Sequence, residues 1–76
     1  MIDVRLFATL PLRSATGRKE FQLAPRDGLT VGEIVDAEGL KRTDIHIVMV
    51  NGRHGTLESE LHDGDRLGLF PPVGGG

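Results

Sequence analysis

The run FPPVGGG, residues 70–76, is the stretch of this chain whose residue types invite chemistry. Glycine loses the most backbone freedom on ordering and brings no side chain to bury, so Gly74, Gly75 and Gly76 cannot help pack a domain. Their thinness allows something else. A chain-terminal carboxylate on Gly76 has a pKa of about 3.3–3.7, is ionised at neutral pH and can attack an activated phosphate. Flanking glycines make a strand slender enough to thread a channel to another protein's nucleotide, with backbone amides open for pairing there. Pro71 and Pro72 hold the base of such a tail extended and project it from the body. The plain alternative is a frayed, idle end, which termini often are.

Other catalytic constellations are missing from the sequence. It contains no phosphate-binding glycine loop of the G-x-x-x-x-G-K-[ST] or G-x-G-x-x-G type and no H-E-x-x-H zinc pair. Ser14 and Ser59 lack the G-x-S-x-G setting of an activated hydroxyl. His46, His54 and His62 recur every eight residues, a spacing that suits solvated histidines and not a ligand set, so no metal site is expected. With zero Cys, disulfides, thiolate zinc sites and thiol nucleophiles are excluded, and covalent chemistry has to use another atom.

The elements that would position the tail follow from periodicity. Ile2, Val4, Leu6 and Ala8 alternate with Asp3, Arg5 and Phe7, the two-residue period of a strand with one face on a core. The stretch TLPLRSATG carries Pro11 and ends in Gly17, so it reads as loop, and residues 19–23 resume the extended pattern. Thr30-Val31-Gly32-Glu33 has capping-box spacing; it predicts a short helix from Thr30, buried through Val31, Ile34 and Val35 and stopped by Gly39. Residues 45–50 read as a strand closed by the Asn51-Gly52 hairpin signal, residues 53–56 as a short return, residues 57–61 as an irregular or single-turn element, and residues 66–70 as the last strand. Pro71-Pro72 ends it, because neither proline can donate to a ladder.

This order implies an α+β fold: a mixed sheet of four to five strands with one main short helix packed on one face. If the first and last strands pair in parallel, the arrangement is the ubiquitin-like β-grasp. The expected organisation is a domain over 1–70 and an extended tail over 71–76.

Seventy-six residues bury only about 60% of the surface the unfolded chain exposes, so a deep enzymatic cavity is not expected. A composition of 26% charged and 38% hydrophobic residues is that of an ordinary globular domain. The net charge of -2, with the cations scattered, argues against nucleic acid as the main partner. Charges interrupt every apolar run of MIDVRLFATL, and no segment reaches the ~20 apolar residues of a membrane span, so a cytoplasmic location without membrane partners is the expectation.

LFATL at 6–10, VNG at 50–52 and above all DGDRLGLFPPVGGG at 63–76 resemble the MoaD/ThiS family of ubiquitin-like sulfur carriers, of the molybdopterin synthase small-subunit type, over essentially the whole length. The resemblance implies that Gly76 is adenylated by a ubiquitin-activating-type adenylyltransferase that uses ATP, then converted to a thiocarboxylate with a sulfur donor enzyme. The carrier itself would bind no cofactor and hold no catalytic site. In the molybdopterin branch the tail would enter the large synthase subunit, with Gly75 as the matching penultimate glycine. The lack of Cys agrees, since no side chain can hold the sulfur. The chain departs from the family in its shorter, more polar helix region TVGEIVDAEGLKRTD, in LPLR where a first helix commonly opens, and in a third glycine, Gly74.

A docking surface follows from the alternation. If Leu6 and Leu69 face the helix, Phe7 and Phe70 project from the open face beside one alternate set of residues 45–50, with Arg53 and Arg66 as a polar rim. The alternative is that either ring is tucked under a loop. Two rival functions share the tail chemistry or dispense with it. One is a ubiquitin-like modifier joined to lysines through Gly76, and the other a β-grasp binding module with an inert tail. Thiamine, cysteine or another thiolated metabolite also remain as end products of a carrier.

Overall fold

The computed structural model describes residues 1–72. Its alternating segments become β1 (Ile2–Leu6), β2 (Glu20–Leu23), β3 (Ile47–Val50), β4 (Arg53–Gly55) and β5 (Arg66–Phe70), with helices α1 (Leu10–Arg13) and α2 (Val31–Ala37) between them. The five strands form one sheet in the order β2-β1-β5-β3-β4. β1 and β5 pair in parallel at its centre and the other pairs are antiparallel. This is the ubiquitin-like β-grasp.

Register places the core. Val4 pairs with Leu67 and Leu6 with Leu69, while Val48 of β3 pairs with Leu69, so the buried positions of three strands share one face. Against that face pack Val31, Ile34 and Val35 of α2, with Leu10, Leu29, Leu40 and Leu61 filling its margins. Each such side chain contributes roughly 1.5–3 kcal/mol on burial.

α2 starts where the sequence predicts. Thr30 is extended and its hydroxyl accepts from the Glu33 amide at 3.3 Å. The capping box is only half made, because the Glu33 carboxylate turns to Arg26 at 2.7 Å. The chain supplies other partners for the first turn. The amides of Val31 and Gly32 donate to the carbonyls of Ser59 and Leu57, so the irregular segment 57–61 acts as the helix's external cap. Gly32 permits this approach: a Cβ there would stand 2.8 Å from Arg42 Nη2 and 3.2 Å from the Leu57 carbonyl.

Three expectations need correction. The stretch TLPLRSATG is not all loop, since Leu10–Arg13 form α1. Pro11 lies in its first turn, where its missing N–H has no intrahelical acceptor to lose, and fully buried Leu10 anchors the turn to the core. Ala8 does not extend β1: its φ of 55° turns the chain from the strand into α1. The strand expected over 45–50 also begins later, at Ile47, after a 3-10 turn over Arg42–Asp44.

Candidate functional site

The last strand carries the chain to Pro71 and Pro72, which have no regular structure; Pro71 is half-buried and Pro72 exposed. Gly74, Gly75 and Gly76 lie outside the described residues. Phe7 follows β1 directly, and its amide donates to the Leu69 carbonyl at 3.0 Å, so the ring stays beside β5. Phe7 and Phe70 stack on the open face with centroids 4.3 Å apart and planes within 5°. Phe7 is 36% exposed.

Gly68 explains how the rings meet. It pairs with Arg5 on one side and Met49 on the other, both open-face positions. A Cβ on it would lie 3.2 Å from Phe7 Cε2 and 3.5 Å from Phe70 Cε1, so the space a side chain would need belongs to the aromatic pair. A hollow of about 410 Å³ opens there, its walls formed by Phe7, Met49, Arg5 and Arg66. Nearer the tail, Ile47, Phe70, Pro71 and Pro72 line a second, more apolar groove of about 640 Å³, with the Arg13–Asp44 ion pair at 3.3 Å along it.

The two arginines expected at the rim do not share a face. Arg66 pairs with Asp3 and belongs to the open face. Arg53 pairs with Val50, which packs against the core, and so projects toward the helix side of the sheet's edge. Alternation along β4 decides this, and that register is set by the Asn51-Gly52 turn, both residues in the left-handed region.

Sequence reasoning left undecided which alternate set of 45–50 stands on the open face. Ile47 and Met49 do, because they pair with Phe70 and Gly68, whereas Val48 is buried. Arg5 and Gly68 were missed. Arg5's alternation with Phe7 was the available signal, and nothing local marks Gly68 as the floor of a hollow.

Electrostatics hold the turn that launches β5. Asp65 accepts from the Asn51 side chain at 2.8 Å and the His62 amide at 2.7 Å, which lowers its pKa below the usual carboxylate value. Asn51 in turn accepts from the Arg66 amide at 2.9 Å. Among the described residues no three His, Asp or Glu side chains gather as a metal site, and no helix is long and apolar enough to cross a membrane.

The sequence matches the ThiS family over residues 4–76. The chain belongs to the ThiS family. Solved structures agree with the assignment. SAMP1 from Haloferax volcanii is 28% identical with a TM-score of 0.73, covering 99% of this chain and 98% of its own. A putative molybdopterin converting factor subunit 1 from Pyrococcus furiosus is 28% identical with a TM-score of 0.61, over 95% of this chain and 97% of that one. The complex of subunits 1 and 2 of the molybdopterin-converting factor from Helicobacter pylori contains a chain with the same identity and TM-score, covering 99% of this chain and 97% of that one. No curated protein matches the chain at a significant level. This ThiS-family member therefore has the fold of ubiquitin-like sulfur carriers and modifiers, whose small proteins generally serve as non-catalytic subunits.

Proposed function

We propose that this protein is a sulfur carrier whose terminal residue, Gly76, is activated and loaded with sulfur for molybdopterin biosynthesis. The observation that carries the reading is the family match, which runs from β1 through the glycines to residue 76. In the first step a Gly76 carboxylate oxygen attacks the α-phosphorus of ATP held by a ubiquitin-activating-type partner, forming an acyl-adenylate and releasing pyrophosphate. A sulfide equivalent from a sulfur donor enzyme then displaces AMP, leaving a thiocarboxylate. This chain supplies the carboxylate, a tail of Pro71, Pro72, Gly74 and Gly75 narrow enough to reach both sites, and a face for docking. It acts as co-substrate.

The acceptor subunit is proposed by analogy with the Helicobacter pylori complex, in which subunit 1 is seen with subunit 2. The likeness to SAMP1, stronger in TM-score than that to the molybdopterin proteins, favours a second reading. SAMP1 is also described as small archaeal modifier protein 1, and a modifier would pass the same activated Gly76 to a lysine amine.

Intact-mass analysis after incubation with ATP, the cognate activating enzyme and a sulfur donor tests the proposal. The expected product is a free chain heavier by sulfur minus oxygen, with the change confined to the C-terminal peptide. An unmodified C-terminal peptide would refute the carrier. Gly76-linked conjugates on lysines, without the thiocarboxylate species, would support the modifier.

A further inference from the structure

Asn51 is the single asparagine of the chain, and Gly52 follows it. That pair has a reaction of its own, because a glycine amide nitrogen has no neighbouring Cβ to hinder its attack on the preceding carboxamide. A Cβ on Gly52 would meet nothing within 4 Å, so among the described residues no group shields this peptide bond. What opposes the attack is the way Asn51 itself is held. Its φ of 54° lies in the left-handed region, and its backbone amide donates to the Arg66 carbonyl at 2.8 Å. The side chain is fastened at both ends: Nδ2 donates to Asp65 Oδ1 at 2.8 Å and Oδ1 accepts from the Arg66 amide at 2.9 Å. Both partners belong to the turn that launches β5, so they direct the carboxamide toward residues 65 and 66 and away from the Gly52 nitrogen.

We propose that Asn51 is a self-deamidation site held inactive by its junction with Asp65 and Arg66, and that reaction once the junction opens leaves a product the junction no longer accepts. The Gly52 nitrogen bonds to Asn51 Cγ and gives up its proton to water, while the Cγ–Nδ2 bond breaks and ammonia leaves. Water then opens the resulting succinimide at either carbonyl, giving an aspartyl residue at position 51 or its isoaspartyl isomer. Cyclisation requires both side-chain hydrogen bonds to break, so its rate follows how often the junction opens. The product bears on β5. An aspartyl side chain has no N–H to give, so Asp65 Oδ1 loses its donor and faces a second carboxylate at hydrogen-bond distance. The basic group recorded at Asp65, His62 Nδ1 at 3.7 Å, sits against the other oxygen, Oδ2, and the Arg66 guanidinium makes no ion pair with it, so neither replaces the amide. Asn51 is also the first cause of the lowered Asp65 pKa, ahead of the His62 amide; the reaction removes the group that best holds that carboxylate ionised. The isoaspartyl form adds a methylene to a two-residue turn whose length sets the register of β3 on β4. A copy that has opened is thereby marked at the start of the strand that leads to Pro71.

The test incubates the full chain, folded and unfolded in urea, in one mildly alkaline buffer. Deamidation is followed by mass analysis of the peptide containing Gly52, and isoaspartyl by methyl transfer from S-adenosylmethionine with an isoaspartyl methyltransferase. The folded chain should react roughly tenfold or more slowly than the unfolded one, and equal rates would overturn the proposal. Asp65→Ala should raise the folded rate severalfold, whereas Glu38→Ala, which breaks the Thr16 and Arg18 contacts instead, should leave it near wild type. Equal acceleration by the two variants, or none by Asp65→Ala, would overturn the role of the junction.

The product is tested by urea titration. Asn51→Asp should lower the folding equilibrium constant roughly tenfold or more. Combining Asn51→Asp with Asp65→Asn exchanges the two groups, restores one amide facing one carboxylate, and should recover most of that loss. An Asn51→Asp chain as stable as wild type, or a double variant no better than the single one, would overturn the claim that the junction rejects the product. If Asn51→Asp does not fold, recovery of folding in the double variant supports the claim and its absence overturns it; the rates on the wild-type chain need neither variant.

Discussion

Two carboxylates show how single side chains hold this small body together. Glu38 closes α2, where a negative charge meets the unfavourable end of the helix dipole, yet its side chain is only 5% exposed. It is tolerated because the Thr16 hydroxyl and Arg18 each donate to it at 2.6 Å, and Arg18 also lies 3.9 Å above the Phe21 ring. The cluster ties the segment before β2 to the helix. Glu38→Ala should cost about 1–3 kcal/mol, discounted because Arg18 is half exposed. Each kcal/mol should appear as roughly 4–8 °C of melting temperature. Asp65 is the second case. Its pKa is lowered, so the stability it adds is fully present above its unfolded value of about 3.9 and disappears as pH falls through the lower folded value. Urea titrations of Asp65→Asn should show a deficit against wild type at pH 7 that narrows below about pH 4. A deficit that does not change with pH would mean that the Asn51–Asp65 contact matters for shape and not charge.

The helix illustrates what local pattern can and cannot specify. Thr30 as cap and Gly39 as stop were legible because both act within a few residues. Gly39, with φ of 74°, ends α2, and the amides of Gly39 and Leu40 donate to the carbonyls of Asp36 and Val35 while Leu40 packs into the core. The other half of the capping box was not legible, because Arg26 and the carbonyls of segment 57–61 compete for the same groups from elsewhere in the chain. α1 escaped for a related reason: Pro11 reads as a breaker unless buried Leu10 is known to fix the turn. Gly39 and Gly28 separate conformation from packing. Both have positive φ, but a Cβ on Gly39 would lie 2.8 Å from the Ala15 Cβ, whereas one on Gly28 would meet nothing within 4 Å. Gly28→Ala should therefore cost only the left-handed penalty of about 1–2 kcal/mol, and Gly39→Ala a further 1–3 kcal/mol or so of overpacking. Equal losses in chemical denaturation would show that the Ala15 contact yields freely.

Considered as one body, the protein keeps its buried side chains between Ile2 and Leu69 among the described residues, which separates what folds from what is proposed to react. Removing residues 73–76 should leave the melting temperature unchanged while abolishing activation of the chain; a large loss of stability would mean that the tail packs on the body. The β-grasp itself was readable from the sequence because alternation in β1 and β5, a capped helix and an Asn-Gly hairpin all agree, and each is a short-range signal. The glycine-rich end is visible in the sequence as a run of residue types, and the chemistry proposed for it rests on what those residues lack. Only tertiary structure decided which residues share the open face. The pairing of β5 with both β1 and β3 brings Arg5, Met49 and Arg66 around Gly68, and the turn at Asn51-Gly52 sends Arg53 to the opposite side. Composition cannot encode that outcome. A side chain's face depends on register between strands distant in sequence, and a shift of one residue reverses it.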